Sequence, residues 1–155
     1  MKKPIFTMIA FTILFLGLIQ LVPVTQSNPA IVKEVEAPPP IRALLKRACY
    51  DCHSHETVWP WYSQIAPVSW LLAWDVHEGR EELNFSMWNQ YTGKRKDKML
   101  KEIAEEIDEG EMPPWFYLPL HPEARLSSQE LQQLRRWALQ GVQEQSFRND
   151  NIDED

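Results

Sequence analysis

The residues best suited to chemistry stand together in Cys49-Tyr50-Asp51-Cys52-His53, which holds both cysteines of the 155-residue chain. Thiols at i and i+3 project from the same side of one helical turn. Both sulfurs can therefore reach the two vinyl groups of a single porphyrin, and the histidine that follows lies under the ring, where its imidazole can bind iron. Two thioethers would hold a haem even in a domain too small to enclose it. The expected cofactor is one covalent haem c, attached through Cys49 and Cys52 and ligated by His53. Two other chemistries compete. A zinc site could use Cys49, Cys52, His53 and His55, but these ligands are badly spread for a tetrahedron and no second ligand pair follows. A thioredoxin-like redox pair would want a βαβ context, which the pattern lacks. A disulfide framework is poorer still, because so short a loop staples little.

The other face of the iron needs a ligand or stays open. Met112, in Gly110-Glu111-Met112-Pro113-Pro114, follows a helix stopped by glycine, and the prolines hold it in a stiff extended loop. A thioether there favours ferrous iron and raises the potential. His121, in Leu120-His121-Pro122-Glu123, is the rival ligand. Met87 and Met99 read as packing residues, His77 as a surface histidine, and His55 lies too close to His53 to cross to the other face. Trp59, Trp61, Tyr62 and Trp70 offer apolar faces for a porphyrin and N–H or O–H groups for its propionates, or fill the core.

Four helices must position these groups. Ile41 to Cys49 runs into the cysteines with Ile41, Leu44, Leu45 and Ala48 on one face. Pro67 to Leu83 carries Val68, Leu71, Leu72 and Val76 at helical spacing. Asp97 to Glu109 carries Leu100, Ile103, Ala104 and Ile107, and ends at Gly110. The last opens at Ser127, with Glu130 completing a capping box, and continues to Gly141. No run alternates as a strand would, so the expected fold is all-α: a small helical domain around one haem, preceded by a hydrophobic helix.

Lys2 and Lys3 precede an apolar run from Ile5 to Val22. Its length lies between a long signal-peptide core and a short membrane span. The expected organisation is a signal anchor or signal peptide over 1–25, a Pro-rich linker over 26–40, the haem domain over 41–146 and an acidic disordered tail over 147–155. The two lysines would stay inside, placing the body in the periplasm, held at the inner membrane. A net charge of -6 argues against nucleic acid, and Lys94-Arg95-Lys96-Asp97-Lys98 reads as a solvated helix start.

The helix entering the cysteine–histidine motif, the later Met-Pro and the final Leu-Ser-x-x-Glu helix resemble a class I cytochrome c. The run Thr57 to Trp70, Asp75 to Arg80, Leu83 to Ser86, and Met112-Pro113-Pro114 through Ala124 are similar to the bacterial haem-binding domain family. The resemblance covers about residues 41–140 and implies a periplasmic c-type haem protein. By analogy with class I cytochromes it also implies that the Pro67 carbonyl orients the His53 ring. Three functions are then open. Electron transfer with membrane-associated redox partners needs both axial positions filled. A peroxidase-type enzyme needs an open position assisted by His77, His121 or Arg80. A haem-based sensor, or a structural haem subunit of a membrane complex, is the third.

Overall fold

The computed structural model describes the backbone of residues 2–152 and the side chains of residues 4–144. Among the described residues there are six α-helices and no strand, in keeping with the all-α expectation: α1 (Lys2–Ile19), α2 (Pro39–Ala48), α3 (Tyr50–His53), α4 (Val68–Glu82), α5 (Gly93–Glu109) and α6 (Ser128–Ile152). α5 and α6 pack along each other, α2 lies against α6 and α3, and α3 in turn lies against α4. The core is therefore a relay that starts in the α5/α6 pair and ends at the cysteine turn.

Local chemistry explains the boundaries. Proline occupies the first turn of α2, where its missing N–H costs nothing. The Thr92 side chain accepts from the Arg95 N–H and starts α5, so the helix begins before Asp97 and takes the basic cluster into its first turns. Gly110 stops α5 in the left-handed conformation, with φ of 75°, and the Glu111 N–H closes back on the Glu106 carbonyl at 3.1 Å. Glu130 and Ser127 form the reciprocal capping box at the head of α6, with the Ser127 N–H donating to Glu130 Oε2 at 2.7 Å. Val35, Ile41, Leu44, Leu45, Tyr50, Phe85 and Leu134 make one buried cluster, and Leu100, Ala104 and Ala138 extend it between α5 and α6. Burial of each large apolar side chain contributes roughly 1.5–3 kcal/mol.

Three expectations change. α6 does not end at Gly141 but runs on to Ile152. A Cβ at Gly141 would lie 2.8 Å from Leu100 Cδ1, so this glycine permits close approach of α5 and α6 and caps nothing. Residues 153–155 of the expected acidic tail lie outside the described residues.

The second change concerns the N-terminus. α1 forms and its apolar side chains are exposed, yet among the described residues no helix is long and apolar enough to cross a membrane. Ile5 to Ile19 reaches roughly 22 Å at about 1.5 Å per residue, short of a hydrocarbon core of ~30 Å. The apolar run continues to Val22, but the helix does not. Gln20 turns back to the body, donating to the Ala66 carbonyl at 3.1 Å and accepting from the Ala66 N–H at 2.9 Å.

The third concerns residues 26–40, expected as a linker. The Gln26 side chain donates to the Ser63 carbonyl, and Asn28 donates to the Thr57 carbonyl. The backbone N–H groups of Val32 and Lys33 donate to Ser86 O, and that of Val35 to Phe85 O, at 3.0–3.1 Å. Val35 is buried. The segment is laid along the domain as an extended strap.

Candidate functional site

Cys49 ends α2, and α3 holds Cys52 and His53 in the next turn. The Cys52 and His53 N–H groups donate to the Cys49 carbonyl at 3.2 and 2.9 Å, which fixes the turn. Both thiols are free and partly buried. Burial pushes Cys49 up to about 12 and Cys52 up to about 11. Burial thus disfavours the thiolate form on which a thioredoxin-like pair depends.

The His53 ring is held by two backbone carbonyls. Nδ1 lies 2.8 Å from Gly79 O and 3.2 Å from Leu83 O. Carbonyl oxygens only accept, so Nδ1 carries the proton and Nε2 keeps its lone pair. Burial lowers the pKa of His53, opposed by the Gly79 and Leu83 hydrogen bonds, which favours a neutral imidazole. The orienting carbonyl expected from Pro67 is thus supplied by the far end of α4. Pro67 instead precedes α4, and its carbonyl accepts from the Trp70 N–H at 3.1 Å. Gly79 is what allows the approach: a Cβ there would lie 2.9 Å from the Cys52 carbonyl oxygen and 3.2 Å from its Cβ. Only a residue without a side chain lets α4 lie this close to the motif.

The chain after the motif is braced from several directions. The Phe85 N–H donates to His53 O at 2.8 Å. The His55 N–H donates to Ser86 Oγ, and the Ser86 N–H donates to Asn84 Oδ1. His55 spends both ring nitrogens, donating from Nδ1 to Ala30 O at 3.0 Å and accepting from Asn84 Nδ2 at 2.9 Å. It has nothing left for a metal. Among the described residues no three His, Cys, Asp or Glu side chains gather as an ion site, which removes the zinc reading there. Arg80 donates to Ser54 O, Ser27 O, Asn28 Oδ1 and Thr57 Oγ1. It is a clamp between the strap and the motif, and so is not free to assist a bound peroxide.

Met112 lies in the loop after Gly110 and is 39% exposed. Met99 is buried in α5, as a packing residue should be. His121 is engaged at both nitrogens: Nε2 lies 2.6 Å from Tyr62 Oη, and Nδ1 lies 3.1 Å from Glu123 Oε1. Its ring stacks on Tyr117 with centroids 4.0 Å apart and planes 6° from parallel. Tyr117 donates to Asp51 Oδ2 at 2.6 Å, which brings the Met112 loop to the cysteine turn. Burial, and then the Asp51 carboxylate, push the Tyr117 phenol far above its ordinary range, so it remains a donor. His77 is on the surface beside Glu81.

The aromatic residues divide into two groups. Trp59 and Trp70 line a cavity of about 420 Å³ with Trp74, His77 and Arg80. Their indole N–H groups are buried with no acceptor among the described residues. Trp61 is 77% exposed and meets the Tyr62 ring edge-on. Sequence reasoning gave no role to Gly79, Leu83, Asn84, Ser86, Asp51 or Tyr117. The visible signals were a lone glycine inside a helix and an aspartate between the two cysteines.

The donor set of the cysteine turn fits a haem: two free thiols on one turn and an imidazole with Nδ1 fixed on carbonyls and Nε2 left to bind iron, whereas the cavity lined by Trp59 and Trp70 includes none of Cys49, Cys52, His53 or Met112. Fold and site together define a small helical haem protein. The chain belongs to the haem-binding domain family, whose model matches residues 14–140. That span takes in part of α1 and the whole strap, together with the expected domain as far as residue 140. No curated protein and no solved structure matches it significantly.

Proposed function

We propose that the chain is an exported monohaem c-type cytochrome domain, with a class I cytochrome c-like arrangement, that carries single electrons. In this reading Cys49 and Cys52 bind the haem by thioethers, and His53 and Met112 are its axial ligands. The observation that carries the reading is how the histidines are used. His53 keeps Nε2 free with Nδ1 fixed, while His55 and His121 have both ring nitrogens engaged. That favours Met112 over His121 as the sixth ligand. When bound, the haem would supply a ferric/ferrous couple.

The chain's own residues then hold and insulate. The Gly79 and Leu83 carbonyls orient the imidazole and raise its donor strength. Trp59, Trp61, Tyr62 and Trp70 would supply apolar surface and donors to the porphyrin and its carboxylates. Lys2 and Lys3 ahead of the apolar run from Ile5 to Val22 support export to the periplasm, since a basic start followed by an apolar stretch is the pattern of a secretory signal. The acidic body suits weak docking of a basic, membrane-associated redox partner.

Absorption spectra of the protein from a cell competent in cytochrome maturation test this in both oxidation states, with and without CO. The expected result is haem retained on a denaturing gel, a near-infrared sulfur-to-ferric-iron band that Met112→Ala abolishes, and slow CO binding by the native ferrous form. Rapid CO binding by the wild type would favour the sensor or peroxidase reading. Colourless protein with free thiols would end it.

A further inference from the structure

The loop between α5 and α6 is fastened at its start by Gly110. Beyond Met112, Pro113 and Pro114, its next fixed point is Tyr117. The Tyr117 N–H closes a turn on Pro114 O at 3.0 Å, and the His121 N–H closes on Tyr117 O at 3.2 Å, so residues 114–121 form one folded unit. Two side-chain hydrogen bonds tie that unit to the rest of the protein. The Tyr117 hydroxyl reaches Asp51, which lies between the two cysteines, at 2.6 Å. His121 reaches Tyr62, in the segment leading to α4, at 2.6 Å. The stacked rings of Tyr117 and His121 couple the two ties. Nearby apolar packing does little to help, since Trp115 is 80% exposed and Phe116 and Leu120 are more than half exposed.

We infer that Tyr117 and His121 are positioning residues that latch the Met112 loop onto the haem-attachment turn, with Asp51 as the catch. The inference rests on the axial-ligand reading above and deepens it. The residue that bears the catch belongs to the same four-residue spacing that would carry the thioethers. Loop and turn are thus held in fixed relation by a contact independent of the iron. A charge-assisted hydrogen bond is the strong kind, so its loss should free the loop measurably without unfolding the domain.

The experiment compares wild type, Tyr117→Phe and Tyr62→Phe as full-length holoproteins. Hydrogen exchange over residues 111–120 is read first, because it reports the mobility of the loop whether or not Met112 is bound to iron. Tyr117→Phe should raise exchange there about tenfold, the effect of roughly 1.4 kcal/mol, and leave α5 and α6 unchanged. CO binding to the ferrous form should quicken by a similar factor and the near-infrared band should weaken. Tyr62→Phe should act in the same direction but less. Unchanged exchange over 111–120 in Tyr117→Phe overturns the latch. Altered exchange in a protein whose wild type lacks the sulfur band keeps the latch and refutes Met112 as ligand.

Discussion

The two sides of the proposed haem site are built differently. On the His53 side, the restraint on the ligand itself comes from the backbone: carbonyls of Gly79 and Leu83 on the imidazole and the Phe85 N–H on the His53 carbonyl. On the Met112 side, the ties described here are two side-chain hydrogen bonds and one ring stack. Backbone partners cannot rotate away, whereas side-chain partners can. The His53 side is therefore preset before any haem arrives. The Met112 side is held at points that one substitution can release, and a sixth ligand has to survive changes of oxidation state.

Gly79→Ala breaks the stiffer side and should have the largest effect. The added Cβ meets the Cys52 backbone carbonyl at 2.9 Å, and no side-chain rotation relieves it. Overpacking of this kind costs about 1–3 kcal/mol, partly offset by the better helix propensity of alanine, about 1 kcal/mol. A displaced α4 also moves both carbonyls that hold His53. Urea unfolding should show the loss of stability, and haem incorporation should fall with it. Normal stability and full haem loading would mean that the close approach of α4 does not matter. Tyr117→Phe, by contrast, should spare stability and loosen only the other side.

The asymmetry also explains what could be read from the chain. Side-chain chemistry with regular spacing was visible in the cysteine–histidine turn, the apolar faces of α2 and α5 and the Ser127–Glu130 cap, but not on α4, where Ser69 and Val76 are buried while Val68 and Leu71 of the expected face are exposed. Partners that are backbone atoms were not. Nothing in the letters Gly79 or Leu83 announces a carbonyl aimed at a histidine, so the analogy to Pro67 filled the gap and placed the partner at the wrong end of α4. The strap from Gln26 to Val35 escaped for the same reason. From Val32 to Val35 it is held by main-chain bonds to Phe85 and Ser86, with no alternating pattern to mark it. Asp51 and Tyr117 are distant in sequence, and only the fold brings them together.

A smaller effect tests the frame on which both sides rest. The Glu130 carboxyl is held down at about 2 by the Ser127 backbone N–H, then by Arg47 and the Ser127 hydroxyl. A folded pKa below the unfolded one gives stability that is present above the ordinary value of 4.5 and lost as pH falls from there toward 2. Glu130→Gln should lower the melting temperature at neutral pH, and the gap to wild type should close by about pH 2. Hydrogen exchange in the Met112 loop should not respond. If it does, the α2–α6 tie through Arg47 also governs the loop, and the two sides are less separate than the contacts suggest.

Gly141→Ala should have the smallest effect, although its Cβ would come closer to its neighbour than that of Gly79→Ala. The atom it meets is Leu100 Cδ1, 2.8 Å away, at the end of a flexible side chain. Leu100 is buried between α5 and α6, so turning it costs something, but the helix gains about 1 kcal/mol from alanine. The net change should lie within about 1 kcal/mol of zero by urea unfolding. The comparison between the two glycines then separates distance from compliance. A clash with a carbonyl oxygen moves a helix, and a clash with a methyl group moves a methyl group. If Gly141→Ala destabilised as much as Gly79→Ala, the rigidity assigned to the His53 side would be a property of the whole interior, and the backbone partners of His53 would not be its special source.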